Sequence, residues 1–135
     1  MELYDSMYIS ASGMRAQGDR LRVIAENIAN AESVGETDGK DPYRRKVIAF
    51  KNFLDRDLQA DLVKVAKVST DPSEFRKRYE PGHPAADADG YVSYPNVNTL
   101  VEMTDMREAQ RSYEANLKVI ETSRAMLARA IDLLR

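Results

Sequence analysis

A repeat of apolar residues at every seventh position runs through the last quarter of the chain and restricts the fold more than any other feature. Five residues keep the interval without a break: Met106, Tyr113, Ile120, Leu127 and Leu134. Residues seven apart lie along one side of an α-helix, where they can pack against a second helix. Since residues 99–135 contain neither glycine nor proline, the repeat predicts a C-terminal helix about 55 Å long.

This helix carries more apolar surface than one partner helix covers. Met103, Leu117 and Ile131 lie beside the repeat, and four more residues widen it further along: Val119, Met126, Ala130 and Leu133. Together they span roughly 200° of the helix circumference, whereas the stripe that an ordinary helix turns toward a core spans about 100°. The excess predicts contacts beyond a single helix pair.

A similar repeat near the N-terminus predicts a second helix over residues 3–31, about 43 Å long. Its large residues are Met7, Met14, Leu21 and Ile28, with Ile24 beside them. A parallel row of small residues consists of Ala11, Gly18 and Ala25. Because small side chains let another backbone approach closely, we expect neighbouring chains to pack on this row.

Two interpretations of the apolar rows remain open: an intramolecular helix pair, or a seam between chains. Repeats of seven by themselves more often indicate an intramolecular pair. A compact domain of this size is only about 36 Å across, however, so both helices are longer than the body they would cover. We expect an antiparallel coiled coil whose remaining apolar surface is covered by other chains.

The middle of the chain predicts a loop followed by short strands. Residues 32–42 contain two glycines, a proline and alternating acids, a composition typical of loops. Alternating and valine-rich stretches predict strands over 43–54, 62–70 and 75–79. Asp89-Gly90 predicts a turn before a last strand at 91–94.

The predicted fold class is therefore α+β, with long terminal helices paired as an antiparallel coiled coil. Residues 1–31 and 99–135 would form a coiled-coil domain, and residues 32–98 a small β-rich segment. Thr99 and Glu102 have the spacing of a capping box at the start of the second helix.

Two asparagines in the first helix are candidates for fixing the alignment of the helices. Asn27 and Asn30 can form hydrogen bonds between helices, where purely apolar contacts would permit sliding. The alternative is a local role in capping the end of their own helix.

Composition excludes several classes of function. The 135 residues include no cysteine, so thiol catalysis and cysteine-ligated zinc are excluded. A net charge of −2 does not favour binding to nucleic acid or to anionic lipid. Neither a cleavable signal peptide nor a membrane-spanning run is predicted, so ordinary rules place the chain in the cytoplasm without membrane insertion.

No catalytic or metal site is predicted, and no cofactor. His83 stands near Asp87 and Asp89, but the calcium-loop pattern lacks two of its defining ligands, so a polar turn is favoured. The basic triplets 44–46 and 76–78 lack interleaved aromatic residues. They indicate a solvated strand face or a salt-bridged contact between subunits rather than a nucleic-acid site.

Four stretches resemble a known family: "SASGMRAQGDRLRVIAENIANAES", "DPYRRKVIAF", "PGHPAADADGYVSYPNVNTLVEM" and "DMREAQRSYEANLKVIETSRAMLARAIDLL". The first is similar to the N-terminal signature of flagellar axial proteins, the subunits of the bacterial rod and hook. The motif of Asn27 and Asn30 marks this broad class, and "PGHP" with "YPNVN" narrows the resemblance to the proximal rod. The resemblance extends from Ser10 to Leu134.

The resemblance implies a structural, non-enzymatic subunit that lines an export channel, transmits torque and lies in the rod that crosses the periplasm. It also implies that the paired terminal helices, residues 1–31 and 99–135, form an inner tube around this channel, with residues 32–98 as an outer segment. It implies export through the flagellar type III apparatus without a cleaved signal peptide. The implied partners are further copies of the chain, the rod subunits FlgB, FlgF, FlgG and FliE, the surrounding basal-body rings and, for the loop 32–42, peptidoglycan. That loop departs from the short turn which usually follows the asparagine motif in this class.

Eighteen residues are the candidate interface: Met7, Ala11, Met14, Gly18, Leu21, Ile24, Ala25, Asn27, Ile28, Asn30, Met106, Tyr113, Leu117, Ile120, Met126, Leu127, Ile131 and Leu134. The terminal helices are expected to order only on docking. The main rival is a stand-alone helical adaptor or export chaperone that binds one partner helix. An enzyme acting on peptidoglycan through paired acids is a distant third.

Overall fold

Four strands lie between two long helices along the chain in the computed structural model, which describes residues 2–135. Helix α1 spans Glu2–Ala29 and helix α2 spans Thr99–Leu133. Met1, where the predicted inner domain begins, lies outside the described residues. The predicted α+β class, with terminal helices and a small β-rich middle, is confirmed.

The strands form two separate pairs. Strand β1 (Lys46–Asp55) pairs with β2 (Ala60–Thr70), and β3 (Arg76–Tyr79) pairs with β4 (Tyr91–Tyr94) in a second two-stranded sheet. The β3–β4 pair is antiparallel, with Arg76 opposite Tyr94 and Tyr79 opposite Tyr91. All four predicted strands are present, although β1 begins three residues later than predicted.

The turn before β4 depends on Asp87 and Gly90. The Gly90 amide donates to the Asp87 carbonyl at 3.0 Å, and Gly90 adopts a φ of +86°. A side chain is strained at that angle, and a Cβ atom there would lie 2.8 Å from the ring of Tyr79. The turn predicted from Asp89-Gly90 is therefore confirmed, with glycine required for both reasons.

Helix α2 begins differently from the prediction. The Asn98 side-chain oxygen accepts hydrogen bonds from the amides of Leu100 (3.1 Å) and Val101 (3.4 Å), so Asn98 is the N-cap. The capping box predicted from Thr99 and Glu102 is wrong, because the Glu102 side chain turns into the interior.

The chain divides into two compact units, each of which combines parts of both helices with part of the middle. Unit 1 consists of Met1–Leu21, Ile48–Lys67 and Arg107–Arg135, and unit 2 of Arg22–Val47 and Val68–Met106. The predicted division separates the terminal helices from the middle of the chain, whereas each compact unit contains parts of both. The inner coiled coil and the outer segment therefore stay a prediction.

The helices run antiparallel in unit 1. Arg20 forms an ion pair with Glu108 at 3.7 Å, and Gly13 lies against the side chain of Asn116. Ile120, further along α2, lies beside residues 4–11 of α1. Successive contacts thus move toward the start of α1 as they move toward the end of α2.

Candidate functional site

The side of α2 that faces α1 consists of small and polar residues. It is not the side that carries the large apolar repeat. Ala109 and Ser123 are buried, and Asn116 between them faces Gly13 of α1. These three residues and Glu102 are also seven apart, so they form a second repeat that the apolar pattern conceals. Their small side chains bury little apolar surface and contribute little hydrophobic stabilisation to the pair.

Several large apolar side chains of the two helices in unit 1 remain exposed, and on α2 they lie on both flanks of the buried row. On α1 they are Tyr4, Tyr8 and Ile9; on α2 they are Tyr113, Leu117, Val119, Met126, Ile131 and Leu133. Leu133 is 87% exposed and Leu134, just beyond the helix, 89%. By helical spacing Tyr113, Leu117 and Ile131 share one side of α2, and exposed apolar side chains grouped in this way indicate an interaction site.

An open groove of about 320 Å³ lies along one flank of the helix pair. It is lined by Tyr4, Met7, Tyr8, Ala11 and Ile120, and almost all of its surface is apolar. The structure therefore brings three predicted interface residues together here, namely Met7, Ala11 and Ile120. The described residues that line the groove are all uncharged, so it suits an apolar side chain or helix face.

The small-residue row of α1 is uncovered. Ala11 and Ala25 are exposed, and a Cβ atom built on Gly18 meets nothing within 4 Å. Gly13 differs, because a Cβ atom there would lie 3.0 Å from the Asn116 amide nitrogen. Gly13 thus serves contact within the chain, whereas Gly18 has open space before it.

The predicted interface residues fall into three groups by exposure. Ile24 and Asn27 are buried. Nine are half-buried: Met7, Met14, Gly18, Leu21, Ile28, Asn30, Met106, Ile120 and Leu127. Seven are exposed: Ala11, Ala25, Tyr113, Leu117, Met126, Ile131 and Leu134. Their role in contacts between subunits stays a prediction.

Asn27 is the centre of a polar cluster in unit 2. Its side-chain oxygen accepts hydrogen bonds from the Lys46 amide (2.9 Å) and the Tyr43 hydroxyl (2.8 Å). Its side-chain nitrogen donates to the Lys46 carbonyl (2.9 Å) and to Glu102 Oε2 of α2 (3.2 Å). Although Asn27 is only 1% exposed, all its hydrogen-bonding capacity is used.

Glu102 completes this cluster from α2. Its carboxylate is 1% exposed and accepts hydrogen bonds from Asn27 and from Arg45 Nε. Arg45 also approaches Asp71 at 3.4 Å and Asp105 at 3.9 Å. Burial alone would lower the pKa of Arg45, but Glu102 and Asp71 raise it above its usual value, so Arg45 stays charged.

The hydrogen bonds of Asn30 are local. Its side chain donates to the Glu26 carbonyl at 2.8 Å and accepts from Ser33 at 3.2 Å. Within the described chain Asn30 therefore holds the end of α1, which favours the local alternative, and its role in aligning helices stays a prediction. Asn27 alone makes the predicted contact with α2.

Basic residues of both triplets form hydrogen bonds and ion pairs within unit 2. Arg76 donates to the Ala31 and Pro95 carbonyls, and Arg78 approaches Glu32 and Glu80. Lys46 bonds Glu26 at 2.7 Å, which lowers the pKa of that carboxyl and raises the pKa of the lysine. These pairings favour salt bridges within the chain over the predicted ones between subunits.

The histidine and its neighbouring aspartates stabilise turns. His83 Nδ1 accepts from the Ala85 amide, and Asp87 accepts from the amides of Asp89 and Tyr91. In the described residues, no three histidine or acidic side chains lie together as a metal site. Neither described helix is both long and apolar enough to cross a membrane.

Comparison with known proteins identifies similarity at both ends and over nearly the whole length. The family model "Flagella basal body rod protein" matches residues 7–35, and "Flagellar basal body rod FlgEFG protein C-terminal" matches residues 88–133. The flagellar basal-body rod protein FlgC of Agrobacterium fabrum is 53% identical over 94% of this chain and 91% of its own. The FlgC proteins of Salmonella typhimurium (41% over 98% of both chains) and Bacillus subtilis (34% over 98% and 99%) are also similar.

Proposed function

We propose, from the premise that this chain belongs to the FlgC family of flagellar basal-body rod proteins, that its exposed helix flanks are the surfaces by which it joins the rod. The chain is a structural rod subunit, assembles with other rod subunits in the flagellar basal body, and is not an enzyme. Its specific task, in this proposal, is to transmit torque along the proximal rod and to line the export channel.

The observation that carries this proposal is the distribution of apolar side chains in unit 1. The α1–α2 contact buries small residues such as Ala109 and Ser123, whereas Leu117, Met126 and Ile131 remain in water. An adaptor that binds one partner helix would need a single apolar stripe. Two exposed flanks instead require several neighbours, as in a helical assembly.

The proposed neighbours are further copies of the chain and the rod subunits FlgB, FlgF, FlgG and FliE. The surrounding rings and peptidoglycan would contact the outer segment, residues 32–98. We further propose export by the flagellar type III apparatus without a cleaved signal peptide. A chain whose ends become ordered only after export suits passage through a narrow channel.

The small row gives a sharp test of close packing between subunits. Gly18→Leu should leave the monomer as stable as the parent or stabilise it by up to about 1 kcal/mol, because leucine favours helix and the site is open. The same change should block rod assembly by filling the space that a neighbouring backbone needs. Urea unfolding of the purified chain and counts of basal bodies in complemented cells measure the two effects.

Gly18→Ala is the matched control, since it keeps the row small and should still assemble. Gly13→Leu should do the opposite of Gly18→Leu and destabilise the monomer, because Asn116 occupies the space. Abundant basal bodies in cells that carry only Gly18→Leu would show that no neighbour packs closely on this row.

Order in the free monomer should be graded along the helices. We expect amides of residues 2–11 and 118–133 to exchange with solvent at least tenfold faster than those of 22–29 and 100–106. The sequence predicts that the whole of the first helix is unordered before docking. The fast-exchanging part of α1 should instead be limited to its first turns, because the hydrogen bonds of Asn27 hold the last turns in place. Hydrogen–deuterium exchange at micromolar concentration measures the difference. Uniform protection from end to end would contradict folding coupled to assembly.

A further inference from the structure

The buried row of α2 leaves the alignment of the two helices poorly determined by packing. Ala109, Asn116 and Ser123 are all small or polar and lie seven residues apart. A slip of seven residues, about 10.5 Å along the axis, would put Ser123 in the place of Asn116 and Asn116 in the place of Ala109, so that small or polar side chains would again face α1. Contacts of this type therefore favour one alignment over its neighbour only weakly.

Glu102 is the member of the row for which a slip is costly. In the slipped alignment Ala109 would take its place opposite Asn27. The buried Asn27 side-chain nitrogen would lose one of its two acceptors, and the half-buried Arg45 would lose the carboxylate bonded to its Nε. Removing one partner of a buried, hydrogen-bonded ion pair is strongly unfavourable.

The groups that bind Glu102 cannot follow it in a slip. Asn27 is held by both backbone groups of Lys46, through Lys46 N at 2.9 Å and Lys46 O at 2.9 Å. The Arg45 amide donates to the Asn96 side chain at 2.8 Å, and its guanidinium also approaches Asp71. The donors that bind the carboxylate, Asn27 and Arg45, are therefore held in place by other bonds. They can bind a carboxylate at only one position along α2, that of Glu102.

We propose that Glu102 is the positioning residue that selects the alignment of α1 against α2, through its bonds to Asn27 and Arg45. The selection is a property of the single chain and goes beyond its role as a rod subunit. Apolar side chains of similar size at these three positions would preserve a stable helix pair but lose the preference for one alignment.

Disulfide trapping can report the alignment directly, because the chain contains no cysteine of its own. In the observed alignment Gly13 faces Asn116, with the built Cβ atom 3.3 Å from the Asn116 Cγ, so Gly13→Cys with Asn116→Cys should form a bond. Arg20→Cys with Asn116→Cys reports the slipped alignment, in which residue 116 moves seven positions along α1. Both reporters share the same change in α2.

When Asn27, Arg45 and Glu102 are unchanged, oxidation of the dilute monomer should form the disulfide of the 13–116 reporter at least tenfold faster than that of the 20–116 reporter. The apolar variant Asn27→Leu/Arg45→Met/Glu102→Leu should retain its helical circular dichroism while the ratio falls to less than threefold. Non-reducing electrophoresis and mass spectrometry of the monomer fraction measure both bonds. A ratio that stays tenfold or more in the folded variant would overturn the proposal.

A conservative second variant decides the matter if the triple variant does not fold. Glu102→Gln keeps the shape of the side chain but removes the charge that Arg45 requires, and should lower the ratio at least threefold. Both variants are measured by disulfide formation in the monomer and not by rod assembly. The result therefore does not depend on the proposed function. An unchanged ratio in Glu102→Gln would show that the alignment is determined elsewhere.

Discussion

Replacing Glu102 with alanine is expected to lower the free energy of unfolding by about 2–3 kcal/mol, a large share of the stability of a small domain. The change removes the main carboxylate partner of the half-buried Arg45, which keeps Asp71 and Asp105 nearby, and leaves Asn27 with an unused donor. Urea unfolding followed by circular dichroism measures the loss for the cooperative transition that includes unit 2.

Glu114→Ala is the matched control, because Glu114 is an exposed glutamate on the same helix. Its effect should stay within about 0.5 kcal/mol. A double-mutant cycle with Asn27→Ala should show that the losses at positions 27 and 102 are not additive, since the two side chains share a hydrogen bond. Equal losses for Glu102→Ala and Glu114→Ala would be incompatible with the cluster described above.

Replacing Leu117 with aspartate is expected to abolish swimming while the purified monomer remains folded. Leu117 is 40% exposed, on the flank of α2 that continues from the apolar groove, so the monomer should lose roughly 1 kcal/mol or less. In an assembled rod the carboxylate would be buried against a neighbour without a partner, which costs several kcal/mol at every subunit. Swimming in soft agar and electron microscopy of basal bodies measure the effect.

Thr122→Asp is the control for the added charge, since Thr122 is an exposed polar residue on the same helix. Cells with Thr122→Asp should swim, and cells with Leu117→Asp should lack complete rods. Normal swimming with Leu117→Asp would falsify the assignment of this flank to subunit contacts.

The elements of the fold could be predicted because their signals are local. Seven-residue repeats without glycine or proline identify α1 and α2, and alternating valines with an Asp-Gly turn identify the strands. The repeats also indicated surface in excess of one helix pair, which agrees with the exposure of Leu117, Met126 and Ile131. Backbone preference and side-chain periodicity arise within a few residues of the chain, so they can be read without knowing the fold.

The polar cluster could not be predicted in the same way. Glu102 stands three residues after Thr99 and resembles half of a capping box, although it bonds Arg45, 57 positions earlier, and Asn27, 75 positions earlier. The sequence did contain one sign that Glu102 is buried, since Glu102 belongs to the seven-residue repeat of Ala109, Asn116 and Ser123. It was concealed by the stronger apolar repeat beside it.

The sequence by itself determined that this chain has two long helices, a β-rich middle and more apolar surface than one molecule encloses. Only the tertiary structure decided which side of each helix turns inward. In unit 1 the small row of α2 faces α1 while larger residues such as Leu117 and Met126 remain outside, and in unit 2 the carboxylate of Glu102 bonds Asn27 and Arg45. That choice depends on hydrogen bonds between distant segments, whose formation no local pattern encodes.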